Sequence, residues 1–243
     1  WRAPLGANQG RGIAVGFWFN AGMNSSATVT VNADGSAAVV TGNPDIGGTR
    51  AAQAMMVAEE LGIAVERVRS SVGDTDSSGY TDVTGGSRVC YATGMAVIRA
   101  AEDAREQLRA RAATIWNVSR DAVEWHDGRA IPPPGTEKAN AMTVAELAAK
   151  MTHTGGPIVG RASLYAPMAG PAFGAHICDL EVDPETGCSK VVRYTVFQDV
   201  GRAVHPSYVE GQMQGGAAQG IGWALNEGYV YSADGVMENA GFL

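Results

Sequence analysis

Gly211, Gly215, Gly216, Gly220 and Gly222 alternate with Gln212, Gln214 and Gln219 in twelve residues where the pattern places the start of an amphipathic helix. Each interior glycine costs a helix about 1 kcal/mol relative to alanine, so the run asks for a compensating reason, and close approach of backbone to a ligand is one. The glutamines are uncharged donors and acceptors. They suit a ring edge or a metal-bound oxygen better than a simple ion. The competing explanation, close packing of the helix against a sheet, is the weaker one here.

Two more glycine loops precede apparent helices. At Thr41–Thr49 a β-branched run breaks at Gly42, Gly47 and Gly48 before a helical pattern with Ala51, Ala54, Met55, Ala58 and Leu61 on one face. At Thr81–Ser87 a second loop, with Thr84, Gly85, Gly86 and Ser87, feeds a longer pattern running through Tyr91, Met95, Ile98, Ala101, Ala104, Leu108 and Ile115, with Thr84 or Ser87 as candidate caps. Free amides at a helix start carry partial positive charge, so each loop is a candidate anion cradle. Taken singly, both loops are explained as well by ordinary turn chemistry; three together could surround one extended anionic ligand.

The elements that must position these loops follow from periodicity and turn residues. Residues 12–19 read as a buried strand, 27–31 and 36–41 as a hairpin about Asn32–Gly35, and 66–72 as a strand. A small hairpin surrounds Asp127–Gly128, and Thr143 with Glu146 forms a capping box for a helix to Met151. Residues 152–160 read as a seam between two lobes, 1–155 and 156–243. Residues 173–182 and 190–198 are long strands joined by a turn at Asp183–Gly187. Each lobe thus has the order hairpin, loop, helix. Hairpins mixed with long helices indicate an α+β fold, a two-layer mixed sheet with packed helices.

With 45% hydrophobic residues the chain has enough apolar side chains for a sizeable core, and its 32 glycines follow no fixed period. A formal charge of −7 without a Lys/Arg cluster argues against nucleic acid. Cys90, Cys178 and Cys188 lack metal or disulfide spacing and read as inert thiols, Cys90 and Cys178 buried; the four histidines are scattered, so no metal site is expected. Asp199 and His205 read as a strand-end turn and a polar loop residue rather than an acid/base pair. No apolar run reaches a membrane span, and Trp1–Pro4 is not a signal peptide. The apolar finish at Asn239–Leu243 and the absent initiator methionine suggest a piece of a longer polypeptide.

In this order, Asp45–Thr49, Thr84–Ser87, Asp199–Gly201 with Pro206, and Gly211–Gly220 resemble the molybdenum-hydroxylase family, the large subunits of xanthine dehydrogenase, aldehyde oxidase and aerobic carbon monoxide dehydrogenase. The likeness covers nearly the whole chain and is most specific at Gly211–Gly220. It implies the second half of a molybdopterin-binding region, with the cofactor held by Gly47, Gly48, Thr49, Thr84, Gly85, Gly86, Ser87, Gln212, Gln214 and Gln219. It further implies molybdenum on a pterin in cytosine dinucleotide form, hydroxylation of a small molecule with water-derived oxygen, and iron-sulfur and FAD partners. The implied location is cytoplasmic, or peripheral at the inner face of the membrane.

Two positions depart from the family pattern: Gly48 stands where many members have glutamine, and His205 where many have asparagine. The family's catalytic glutamate follows a glycine-valine-glycine motif, and none of Glu59, Glu210, Glu227 or Glu238 occupies one. No catalytic residue is therefore expected here, and the chain alone is expected to be silent. The alternative is a non-catalytic nucleotide- or cofactor-binding module, supported by Gly48.

Overall fold

The computed structural model describes residues 2–74, 76–136 and 139–241. Trp1, Phe242 and Leu243, which enter the expectations about the chain's ends, lie outside the described residues. The strands, in order, are β1 (Gln9–Asn20), β2 (Met23–Val31), β3 (Ala37–Thr41), β4 (Val68–Val72), β5 (Glu124–His126), β6 (Arg129–Ile131), β7 (Met142–Thr143), β8 (Ile158–Ala166), β9 (Ala169–Val182) and β10 (Ser189–Gln198). The helices are α1 (Thr49–Leu61), α2 (Gly94–Trp116), α3 (Val144–Ala148), α4 (Met151–Thr154) and α5 (Pro206–Leu225).

The chain divides into two compact units, Phe19–Pro171 and Trp1–Trp18 with Ala172–Leu243. These limits differ from the expected seam at residue 155. The reason is β8, which falls at and beyond that seam, where no strand was expected, and pairs antiparallel with β2 from Met23↔Ala166 to Val31↔Ile158. A pairing across more than a hundred residues leaves no local signature in a glycine-containing segment.

In the unit Phe19–Pro171 the main sheet has the order β4-β3-β2-β8, with β3 and β4 parallel and the other pairs antiparallel. Burial alternates along β2 and β3: Ala27, Val29, Val31, Ala37 and Val39 are buried against α1 and α2 together with Val57, Leu61, Val97, Ala100, Ala104 and Leu108. Small residues on α2 let it lie close on the sheet. A Cβ on Gly160 of β8 would collide with the Ala100 carbonyl and the Ala104 amide. β5, β6 and β7 form a small second sheet, and α3 begins with the expected capping box, Thr143 Oγ1 accepting from the Glu146 amide at 3.2 Å. The expected single helix to Met151 is instead two short ones, α3 and α4, broken at Ala149–Lys150.

The other unit holds the sheet β1-β9-β10 and α5. Asp179, 5% exposed, ties all three strands by accepting from Arg11 Nε (2.5 Å) on β1 and Arg193 Nη2 (2.6 Å) on β10. These two guanidiniums, Arg11 first, hold its carboxyl well below the usual carboxylate range. β1, expected to be buried, is mostly exposed, with Val15 and Phe17 open on its surface. The architecture is thus mixed α/β, with several sheets and packed helices.

Candidate functional site

The unit β3-α1-β4 brings two of the glycine loops to one edge. Because β3 and β4 are parallel and adjacent, the chain leaves both at their carboxyl ends, from Thr41 and from Val72, partners in register. That is where ligands sit in parallel α/β sheets. Residues 42–48 follow β3, and residues 73–88 follow β4 before the helical chain resumes at Val89.

A buried polar chain welds the loops together. Arg88 Nη2 donates to Ser25 Oγ (2.6 Å), and Ser25 Oγ lies 3.2 Å from Thr93 Oγ1. Thr93 Oγ1 donates to Asn43 Oδ1, and Asn43 Nδ2 donates to Thr84 Oγ1 (2.9 Å). Ser25, Arg88 and Thr93 are fully buried and Asn43 is 2% exposed. The second loop is also fixed to the β1–β2 turn, where the Ala21 amide donates to the Gly86 carbonyl (3.0 Å) and a Cβ on Gly86 would sit 2.7 Å from that of Ala21. Gly86 has φ 72, so only glycine fits without strain.

The loops differ in the amides they leave open. Ser87 has φ 55 and Arg88 has φ −94, a reversal of hand that turns successive N–H groups to one side. Among the described residues the Gly86 and Ser87 amides donate no hydrogen bond, and nothing lies within 4 Å of a Cβ on Gly85. Neither Thr84 nor Ser87 caps a helix, contrary to expectation: Thr84 is engaged by Asn43, and the helical chain begins with a π turn at Val89–Thr93. At the first loop Gly47 and Gly48 have φ 61 and 78, but the Asp45 carboxylate accepts from the Arg50 amide (3.1 Å) and pairs with the Arg50 guanidinium (3.7 Å). The start of α1 is thus occupied by its own acid, and Thr49 Oγ1 reaches back to Asp45 and the Ile46 amide.

In the other unit, α5 begins at Pro206, so Gly211–Gly222 lie in the helix interior rather than at its start. Their amides are spent on helix bonds, and any ligand contact there falls to side chains and to the exposed helix surface. Val209, Met213, Ala217 and Ile221 form an i, i+4 stripe in a groove with Tyr194 and Val196 of β10. Gln212 and Gln219 share another face, with Gly215 and Gly216 between them by helical spacing. Gln214 lies away from them and lines the groove. Nothing comes within 4 Å of a Cβ on Gly211, Gly215, Gly216 or Gly220, so close packing does not account for these glycines within the described residues.

Asp199 accepts from the Gly201 amide (2.9 Å) and His205 stacks on Tyr208 at 3.8 Å, so both do local work, as expected. Among the described residues no His/Cys/Asp/Glu group could hold a metal ion, and no helix is long and apolar enough to cross a membrane. The thiols depart from expectation. Cys90 lies in the π turn and is exposed, Cys178 is half-buried and Cys188 is exposed. Sequence reasoning passed over Asn43, Ser25, Arg88 and Thr93, because polar residues in loops and at strand starts carry no mark of burial.

A model described as molybdopterin cofactor-binding domain matches residues 2–243. The chain belongs to this molybdopterin-binding family. It is 30% identical over 227 residues to the nicotine 6-hydroxylase large subunit of Paenarthrobacter nicotinovorans, covering 90% of this chain and 28% of that protein. It is 31% identical to the xanthine dehydrogenase molybdenum-binding subunit of Escherichia coli O157:H7, covering 90% and 30%. A Cu,Mo-CO dehydrogenase crystal structure superposes with a TM-score of 0.83 at 24% identity over 97% of this chain and 32% of that one, a likeness of fold. The molybdopterin-binding chain thus spans less than a third of each of these proteins. The resemblance to molybdenum-hydroxylase large subunits is borne out. Each unit taken by itself carries donors of a kind molybdopterin would use, glutamine amides on α5 for a neutral ring edge in one and the open Gly86 and Ser87 amides for an anionic tail in the other.

Proposed function

We propose that this chain supplies one wall of the molybdopterin site in the large subunit of a molybdenum-dependent hydroxylase. The supporting observation is the hydrogen bond from Asn43 to Thr84, which locks two loops at adjacent parallel strand ends in a chain matched from residue 2 to residue 243 by the cofactor-binding family. Gly86 and Ser87 offer backbone amides to the anionic part and Thr84 its hydroxyl, while Gly85, whose amide is spent on the Val83 carbonyl (3.1 Å), leaves room for close approach. Gly47, Gly48 and Thr49 contribute shape more than charge, since Asp45 already occupies the α1 start. Gln212 and Gln219 address the ring edge, with Gly215 and Gly216 allowing close approach; Gln214 has a lesser part in the groove. The cofactor is proposed to carry a cytosine nucleotide. When bound, it supplies water-derived oxygen to an electron-poor carbon and accepts the electrons released.

The substrate class is an aldehyde, an N-heterocycle or a related small molecule, or carbon monoxide, and the electrons leave through iron-sulfur and FAD partners in a cytoplasmic assembly. The chain carries no catalytic glutamate in this reading and is silent alone. Each unit carries one copy of a hairpin-loop-helix arrangement, β2-β3-α1 and β9-β10-α5. The second reading, a cofactor-binding module without chemistry, is favoured by Gly48 in place of glutamine. Metal and pterin analysis of the full-length protein, followed by turnover assays on aldehydes, purines, N-heterocycles and carbon monoxide, separates the two. Cofactor with turnover supports the hydroxylase; cofactor without turnover on any class supports the module; absence of pterin sinks both.

A further inference from the structure

Arg88 is the largest fully buried side chain among the described residues, and no carboxylate touches it. Its guanidinium donates to the carbonyls of Gly22 (2.5 Å), Asn24 (2.6 Å), Asp82 (3.0 Å) and Val83 (3.4 Å) and to Ser25 Oγ (2.6 Å). The nearby Asp82 carboxylate is spent elsewhere, on the Asn24 amide (2.7 Å) and the Tyr80 hydroxyl (2.8 Å). Burial pushes the Arg88 guanidinium below its ordinary value and the charge of Asp82 opposes this only in part, so the cation is incompletely compensated, whereas buried charges are ordinarily paired. If Arg88 served only as a rivet for the loop, a neutral donor would do the same work without that cost.

The bonds leaving Arg88 run one way. Ser25 Oγ accepts from Arg88 and Thr93 donates to Asn43, so the proton between Ser25 and Thr93 belongs to Ser25. Asn43 in turn donates to Thr84. Every link donates away from the cation, and the last hydroxyl, Thr84, has its own proton left and no acceptor for it among the described residues. In a low-dielectric interior such a chain polarises each successive donor. Its free end lies in the loop whose Gly86 and Ser87 amides are also unpaired.

We propose that Arg88 is a positioning residue for the anionic group of the bound cofactor. Its charge, relayed through Ser25, Thr93 and Asn43, makes the Thr84 hydroxyl a strong donor, and a diphosphate held by Thr84, Gly86 and Ser87 completes the charge balance. This assignment rests on the molybdopterin reading above.

The test compares full-length wild type with R88Q, R88K and S25A, produced in the native host, for released pterin and molybdenum content and for melting temperature. R88Q removes charge but keeps donors; R88K keeps charge but loses the fork; S25A breaks the relay while leaving the four carbonyl contacts of Arg88. Loss of a charge-assisted interaction predicts at least about tenfold lower cofactor retention in R88Q, against no more than about threefold in R88K. S25A is expected to fall between them with a melting temperature near wild type. R88Q or S25A retaining cofactor like wild type overturns the assignment, as does R88K as empty as R88Q, which would reveal a purely geometric role. Should R88Q not fold, S25A decides alone. Wild type without pterin overturns the cofactor reading itself.

Discussion

Asn43→Ala is the sharpest probe of how the two loops are held. The substitution deletes the bond to Thr84 (2.9 Å) and the acceptor of Thr93, in a site where Asn43 is only 2% exposed. Thr93 keeps Ser25 at 3.2 Å, so one hydroxyl, Thr84, is stranded rather than two. Two bonds at about 1 kcal/mol each, with part of the cost of one unmatched group, give on the order of 2–3 kcal/mol. For a protein of this size that lowers the melting temperature by roughly 4–12 °C. Calorimetry measures the shift. Hydrogen exchange locates it at the amides of Ala21, bonded to Gly86, and Asp82, bonded to Asn24, which should both exchange faster. The control is Asn32→Ala, on the exposed β2–β3 turn, where Asn32 bonds Ser36. If Asn43→Ala melts no lower than Asn32→Ala and leaves Ala21 and Asp82 protected, the loops are not held through Asn43.

Three further outcomes follow. The Asp179 carboxyl is depressed by Arg11 and Arg193, so its contribution is fully present above the unfolded carboxylate range, near about pH 3.9, and fades only as pH falls toward the folded value. The stability gap between wild type and Asp179→Asn, followed by denaturant melts, should therefore be flat from neutrality to mildly acid pH and shrink only below that range; a gap that titrates near neutrality would contradict the Arg11–Asp179–Arg193 tie. Thr143→Ala removes the capping bond to Glu146 and should cost about 1 kcal/mol in chemical denaturation. Gly86→Val forces a β-branched residue to φ 72 against Ala21 and should cost at least about 1–2 kcal/mol by the same measurement, besides emptying the cofactor site.

Much of the local structure was legible because it is written in short-range chemistry. Asn32–Gly35 turns the chain as its residue types require, with the Gly35 amide donating to the Asn32 carbonyl, and Asp183–Gly187 does the same between β9 and β10. The capping box at Thr143 and Glu146 needs only three residues of spacing. The start of α5 was legible too, since Pro206 brings a helical φ and no amide to satisfy, yet the glycine run drew attention away from it. What the sequence hides is long-range. β8 against β2, Asp179 between two arginines, and the chain from Arg88 to Thr84 join residues far apart, and each partner alone looks like an ordinary surface polar group. The exposure of β1 and α5 was equally hidden, since apolar periodicity marks a side that can be buried, not whether it is.

The Gln212–Gln219 face of α5 is proposed above to receive molybdopterin, with Gly215 and Gly216 allowing close approach. Gly216→Leu in the full-length protein tests it most directly, because Gly216 has open space around it and leucine stabilises a helix by up to about 1 kcal/mol relative to glycine. The expected outcome is a protein at least as stable as wild type whose pterin and molybdenum contents fall by about tenfold or more, because backbone approach to a ligand is blocked. A stable Gly216→Leu protein carrying its full complement of both would contradict it.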